Sequence, residues 1–195
     1  MKNYIIAMIL ASVMVSPMAT AESGYGGASF SVVNIDTEDF ETDSGNIGLV
    51  LGAFNEHGWG YEFMYTLTLI DDSESLGGGV DLETEVDTVG LFAVYKTKGQ
   101  VYVKAKAGYG YVSRGTDVNL DDDEVGSTTD SADGIAYGLA IGTMIGEGML
   151  ELSYYRFPDI EEFSLFEEAL EGTEFEGADF ESDVQMLGVT YSFSF

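Results

Sequence analysis

At 195 residues the chain is long enough for one domain and short for two. Its 35 acidic residues against 7 basic ones exclude nucleic acid as a partner, because phosphates would be repelled. The lack of cysteine removes disulfides and thiolate metal sites, and an aromatic content of 13% makes disorder a poor account of so much charge.

The chain opens with Lys2, then an almost unbroken apolar stretch from Tyr4 to Val15, then Pro17 and the small residues Ala19-Thr20-Ala21. This order predicts a cleavable signal peptide over residues 1–21, cut before Glu22. The apolar stretch is short for a membrane-crossing helix. Residues 22–195 are then a single exported domain.

Eight segments of about ten residues follow, each alternating apolar with small or polar side chains. They cover residues 26–35, 45–54, 59–69, 86–96, 101–113, 134–145, 149–157 and 184–195. A tilted strand needs about nine to eleven residues to cross a bilayer. The connections 55–58, 97–100 and 146–148 are tight and contain glycine, whereas 36–44, 70–85, 114–133 and 158–183 are long. Long and short alternate strictly, so one end of the sheet carries turns and the other carries loops. The long connections and their boundary residues hold nearly all the carboxylates; the remainder are Glu22, Glu56, Glu62, Glu147 and Glu151.

The faces of single strands agree with a membrane setting. Trp59, Tyr61, Phe63, Tyr65, Leu67 and Leu69 share one face of the third segment, opposite Gly60, Glu62, Met64, Thr66 and Thr68. In the sixth, Ile135, Tyr137, Leu139 and Ile141 oppose a row of glycine and alanine. Large apolar residues should meet lipid and small or polar ones should fill a narrow interior. In the fourth segment Val89, Leu91 and Tyr95 look outward, which sends Phe92 and Val94 inward against that rule. An open edge in hydrocarbon would leave backbone groups unpaired, so the first and last strands must pair. The expectation is an all-β fold, a closed antiparallel eight-stranded up-and-down transmembrane β-barrel. Aromatics at the strand ends (Trp59, Tyr61, Tyr95, Phe193 and Phe195 on the turn side; Tyr109, Tyr111 and Tyr137 on the loop side) suit two interfacial girdles.

The last segment, with Leu187, Val189, Tyr191, Phe193 and Phe195 on one face, resembles the C-terminal signature of bacterial outer-membrane barrels. The whole of residues 25–195 is similar to the small barrel family that includes the transmembrane domain of OmpA, OmpX and the opacity-type proteins. That resemblance implies a Gram-negative outer-membrane location, lipid and lipopolysaccharide surroundings, and recognition by the barrel-assembly machinery. A monomer is expected. The chain stops at the last strand, so the peptidoglycan-binding domain that follows the OmpA barrel is not carried over.

Strand parity places Glu62, Lys104, Lys106 and Glu151 on inner faces, a few residues from the turns. Two cations and two anions at one level can compensate one another, since an unpaired buried charge is expensive. The expected role is an ion-pair plug; a gate passing small ions is the alternative. The loops mix carboxylates with aromatics, as in Asp39-Phe40-Glu41, Glu162-Phe163, Phe166-Glu167-Glu168, Glu174-Phe175-Glu176 and Asp179-Phe180-Glu181. A solvated surface explains them; weak recruitment of Ca²⁺ or Mg²⁺ and adhesion through Phe163, Phe166, Phe175 and Phe180 are alternatives. Asp121-Asp122-Asp123-Glu124 lacks EF-hand spacing, and no metal site or cofactor is expected. Arg156 falls at the loop-side rim, suited to a lipopolysaccharide phosphate or to a loop carboxylate. Lys96 and Lys98 flank a turn as solvated charges.

Some small outer-membrane barrels act on lipid A or cleave proteins, and acyl transfer commonly needs a serine beside a histidine base. The one histidine, His57, falls in a turn on the periplasmic side, so no catalytic residue is assigned. The expected function is non-enzymatic, structural or in surface interaction; a narrow small-solute channel is the alternative.

Overall fold

The computed structural model describes residues 23–36, 41–77, 80–120, 123–160 and 182–195. The expected signal peptide, Asp39-Phe40 and the aromatic-acidic motifs of residues 161–181 lie outside these residues. The alternating sequence folds as antiparallel strands β1 (Ser23–Asp36), β2 (Glu41–Phe54), β3 (Trp59–Ile70), β4 (Asp72–Gly77), β5 (Val80–Lys96), β6 (Val101–Leu120), β7 (Asp123–Ile145), β8 (Gly148–Arg156) and β9 (Asp183–Ser194). β3 and β4 are one wall strand interrupted at Asp71, because both pair with β5. The barrel is therefore eight-stranded and up-and-down.

Closure is made by β1 against β9, in register from Tyr25↔Ser194 to Asp36↔Asp183. Reciprocal backbone bonds between Gly24 and Phe195, 3.1 and 2.9 Å, seal the turn-side end of that seam. At the tight turns the backbone leaves the ordinary region: Gly58 has φ +86° and Gly146 φ +63°. An L side chain is strained there, and glycine is not. Asn55 reinforces the first turn, its Oδ1 accepting from the amides of His57 (2.9 Å) and Trp59 (3.1 Å).

The outer surface is apolar. Phe30, Val32, Ile47, Leu49, Leu51, Leu67, Val103, Ile135, Leu139, Ile141 and Leu152 are exposed, as are the girdle residues Trp59, Tyr95, Phe193, Tyr109, Tyr111 and Tyr137. In water this surface would be a liability, whereas against lipid chains it is what a transmembrane barrel requires.

Two expectations are corrected. Residues 70–85 and 114–133, read as loops, are largely strand. β5 and β6 stay paired from Lys96↔Lys104 to Val80↔Leu120, and β6 and β7 from Val101↔Thr143 to Leu120↔Asp123. At ~3.4 Å per residue these ribbons far exceed a lipid belt about 25 Å tall. β4, β5, β6 and β7 therefore continue as a sheet on the loop side of the membrane. Ladder hydrogen bonds hold it there, and they do not depend on an apolar face, so the charge-rich sequence concealed it.

The interior is also less small and polar than the alternation suggested. Tyr25, Phe92, Val94, Tyr102, Tyr155 and Phe157 point inward and are buried. Nearest the loops, Val33, Ile35, Val86, Val112, Ile160, Val184 and Met186 form an apolar layer. Between this layer and the turn-side charges lies hydroxyl and amide chemistry. Ser44 donates to Asn46 (3.0 Å), Asn46 to Thr66 (3.3 Å), and the Thr66 and Thr88 hydroxyls stand 2.8 Å apart.

Candidate functional site: the charged layer of the lumen

Three strands supply the charges: Glu62 from β3, Lys104 and Lys106 from β6, and Glu151 from β8. All four are buried, Lys104 and Glu62 completely. The Lys104 ammonium sits 3.0 Å from Glu62 Oε2 and 2.6 Å from Glu151 Oε1, bridging carboxylates from different walls. Lys106 reaches Glu62 Oε1 at 2.6 Å. The structure thus brings together all four inner-face residues singled out in the sequence.

Sequence reasoning missed the tyrosines that complete the layer. Tyr25 donates to Glu62 Oε2 at 2.6 Å, Tyr102 to Glu151 Oε1 at 2.9 Å and Tyr155 to Glu62 Oε1 at 3.3 Å, while Lys106 donates to the Tyr155 hydroxyl. These bonds satisfy carboxylate lone pairs that the lysines leave over, which a dry ion pair needs in order to persist. The rings also face the cations: Lys104 Nζ lies 4.7 Å from the Tyr25 centroid, and Lys106 Nζ lies 4.5 Å from that of Tyr155. Tyr25 in turn stacks on Phe54 at 5.0 Å with the planes 9° apart. A signal was available, since Tyr25, Tyr102 and Tyr155 share strand parity with inner-face residues.

The rings find room because glycines face them. A Cβ at Gly52 would lie 2.4 Å from the Tyr25 ring, and one at Gly142 would lie 2.5 Å from that of Tyr102. Gly52 and Gly142 are therefore seats for aromatic rings from neighbouring strands. The arrangement can hold charge inside a narrow barrel, where buried carboxylates, lysines and tyrosines are bonded to one another across the walls.

Other expected sites fall as follows. Arg156 is half-exposed at the rim, where it pairs with Asp183 and lies 3.7 Å from Asp159. A second buried pair, Arg114 with Asp130 at 3.1 Å, joins β6 to β7 in the extramembrane sheet and was not foreseen. His57 is exposed, 3.5 Å from Glu56. Lys96 requires correction: it faces the lumen, with its ammonium 4.3 Å from the Tyr102 ring centroid. Leu187, Val189, Tyr191, Phe193 and Phe195 all face outward from β9 and the residue after it. Among the described residues no group of three or more His, Asp or Glu side chains is placed to hold a metal.

The family model for the outer membrane protein β-barrel domain matches residues 5–193. The chain belongs to the outer membrane β-barrel family. Its location is accordingly the outer membrane of the Gram-negative envelope. Comparison with curated proteins finds no match. Among solved structures, the chain is similar to Ail, the attachment invasion locus protein of Yersinia pestis, determined with the heparin analogue sucrose octasulfate: TM-score 0.56, 14% identity, covering 88% of this chain and 98% of that one. It is similar to Neisserial surface protein A at TM-score 0.59 and 11% identity, covering 88% and 97%. It is also similar to OprG of Pseudomonas aeruginosa at TM-score 0.51 and 13% identity, covering 90% and 96%. At such identities the likeness to solved structures is one of fold.

Proposed function

We propose that this outer membrane β-barrel is a closed, non-enzymatic, monomeric barrel that works at the cell surface through its acidic loop-side sheet. The observation that carries this reading is the extension of β4–β7 beyond the lipid belt, strand structure that spanning the membrane does not require. The lumen agrees with it, since a compensated ionic layer lies near the turns and an apolar layer near the loops. The extension carries Glu83, Glu85, Asp87, Asp117 and Asp133, so cationic partners suit it, weakly held divalent ions included. Lipopolysaccharide surrounds the belt, and the outward face of β9 offers the assembly machinery its signature residues.

The test pairs two measurements on purified, refolded protein. Planar-bilayer recording should be silent, and binding to cell surfaces or cationic ligands should fall when the β6–β7 tip is shortened. Reproducible conductance abolished by Lys104→Met or Glu62→Gln would instead make the barrel a narrow channel.

A further inference from the structure

Among the described residues three lysines face the lumen near the turns, but only two carboxylates do. Glu62 and Glu151 are both engaged by Lys104, and Glu62 also by Lys106. The residual positive charge belongs to Lys96, which β5 ends on at the periplasmic mouth. Its ammonium lies 4.3 Å from the Tyr102 centroid and 5.6 Å from that of Phe54, and none of the described carboxylates is within salt-bridge distance. Lys104, Lys106, Arg114 and Arg156 each have a carboxylate partner. Among the described residues this half-buried cation thus has no carboxylate at salt-bridge distance. Glu56 and Glu147 stand exposed on neighbouring turns.

The register explains why Lys96 cannot share the inner carboxylates. Lys96 and Lys104 are direct cross-strand partners, so like charges face each other on one surface. Lys104 contacts both inner carboxylates at salt-bridge distance, and its own ammonium is also held over the Phe54 ring, at 5.3 Å. Aromatic faces attract the Lys96 ammonium but carry no formal charge to cancel it. Its remaining open side is the mouth, beside the exposed Lys98 of the following turn.

We propose that this mouth binds an oxyanion, a phosphate group, with Lys96 as its principal ligand and Lys98 as a peripheral charge. The phosphate comes either from a lipid headgroup of the periplasmic leaflet or from a diffusible anion; an ammonium reads both alike. The site is independent of whether the lumen conducts.

The experiment is a titration of the refolded barrel in uncharged maltoside micelles with inorganic phosphate at constant ionic strength, followed by backbone amide NMR. Saturable shifts are expected at the amides of Tyr95, Lys96, Thr97, Val103 and Lys104. Lys96→Gln should weaken them about tenfold, Lys98→Gln no more than about twofold, and Lys96→Arg should retain them. If Lys96→Gln does not refold, Lys96→Met keeps the stem against both rings and serves the same comparison. If neither refolds, the wild-type shifts decide, localised and saturating against diffuse and linear. A second arm compares lipid nanodiscs of phosphatidylglycerol with phosphatidylcholine. Lys96-dependent shifts on phosphatidylglycerol, with free phosphate inactive in micelles, would assign the headgroup; the reverse would assign a diffusible anion. Shifts that do not saturate, that persist unchanged in Lys96→Gln, or that are missing in both arms would overturn the site.

Discussion

Lys104 links two walls of the barrel through a single ammonium, which contacts Glu62 of β3 and Glu151 of β8. Replacing it by methionine keeps most of the volume but strands two carboxylates whose remaining partners are Lys106 and the tyrosines. Breaking a buried pair from one side costs about 3–5 kcal/mol. Lys104→Met is expected to lose stability of that size in urea titrations of the barrel in lipid vesicles. Adding Glu151→Gln should restore part of the loss, as coupled neighbours do. Gly142 offers an independent probe, because a side chain there meets the Tyr102 ring at 2.5 Å. Gly142→Val should cost about 1–3 kcal/mol by overpacking, read from the same titration. The four charges were legible because strand parity fixes which way a side chain points. Lys96 was not, although it shares parity with Phe92 and Val94. β5 is apolar on both faces, so its pattern gives no inside and outside to extend to its last residue.

The β4–β7 sheet sets like charges against each other. Glu83 is the cross-strand partner of Asp117, and Glu85 stands between Glu83 and Asp87 along β5. Partial burial, reinforced by negative charge on Asp71, Asp87, Asp117 and Glu83, pushes the Glu85 carboxyl above its ordinary value. A carboxyl raised in the folded state binds more protons folded than unfolded. The sheet should therefore lose stability as pH rises through the carboxylate range and regain it on acidification. Amide exchange, corrected for the intrinsic rate at each pH, should show β5 and β6 residues of the extension better protected at pH 5 than at pH 7, while membrane-embedded amides stay unchanged. Glu83→Lys converts repulsion to attraction and should gain about 0.2–1 kcal/mol locally, removing much of the pH difference. The strands within the lipid belt were readable because lipid demands an apolar face and period-2 alternation follows. Above the belt no solvent boundary imposes alternation. Residues 114–120 and 123–133 pair through backbone bonds that side-chain pattern does not record.

The whole molecule is polarised along its axis, with its carboxylates mostly at the loop end and its cations at or below the rim. From residue 23 onward the basic residues are Lys96, Lys98, Lys104, Lys106, Arg114 and Arg156. Lys96 and Lys98 lie at the turn-side end, Lys104, Lys106 and Arg114 face inward and are buried or nearly so, and Arg156 is bonded into β8 at the rim. The outer surface of an intact cell would therefore present no accessible basic residue on a flexible backbone. Trypsin added to whole cells should leave the chain uncut, whereas a glutamate-specific protease should cleave it in the acidic connections. Once the outer membrane is opened, trypsin should gain the turn at Lys98. Digestion patterns on either side of the membrane would thereby report orientation directly, and trypsin fragments ending at Lys98 from unopened cells would place the short turns outside. The same distribution would give the folded barrel resistance to trypsin-like enzymes in its surroundings, a protection that arises from where the cations sit and requires no inhibitor.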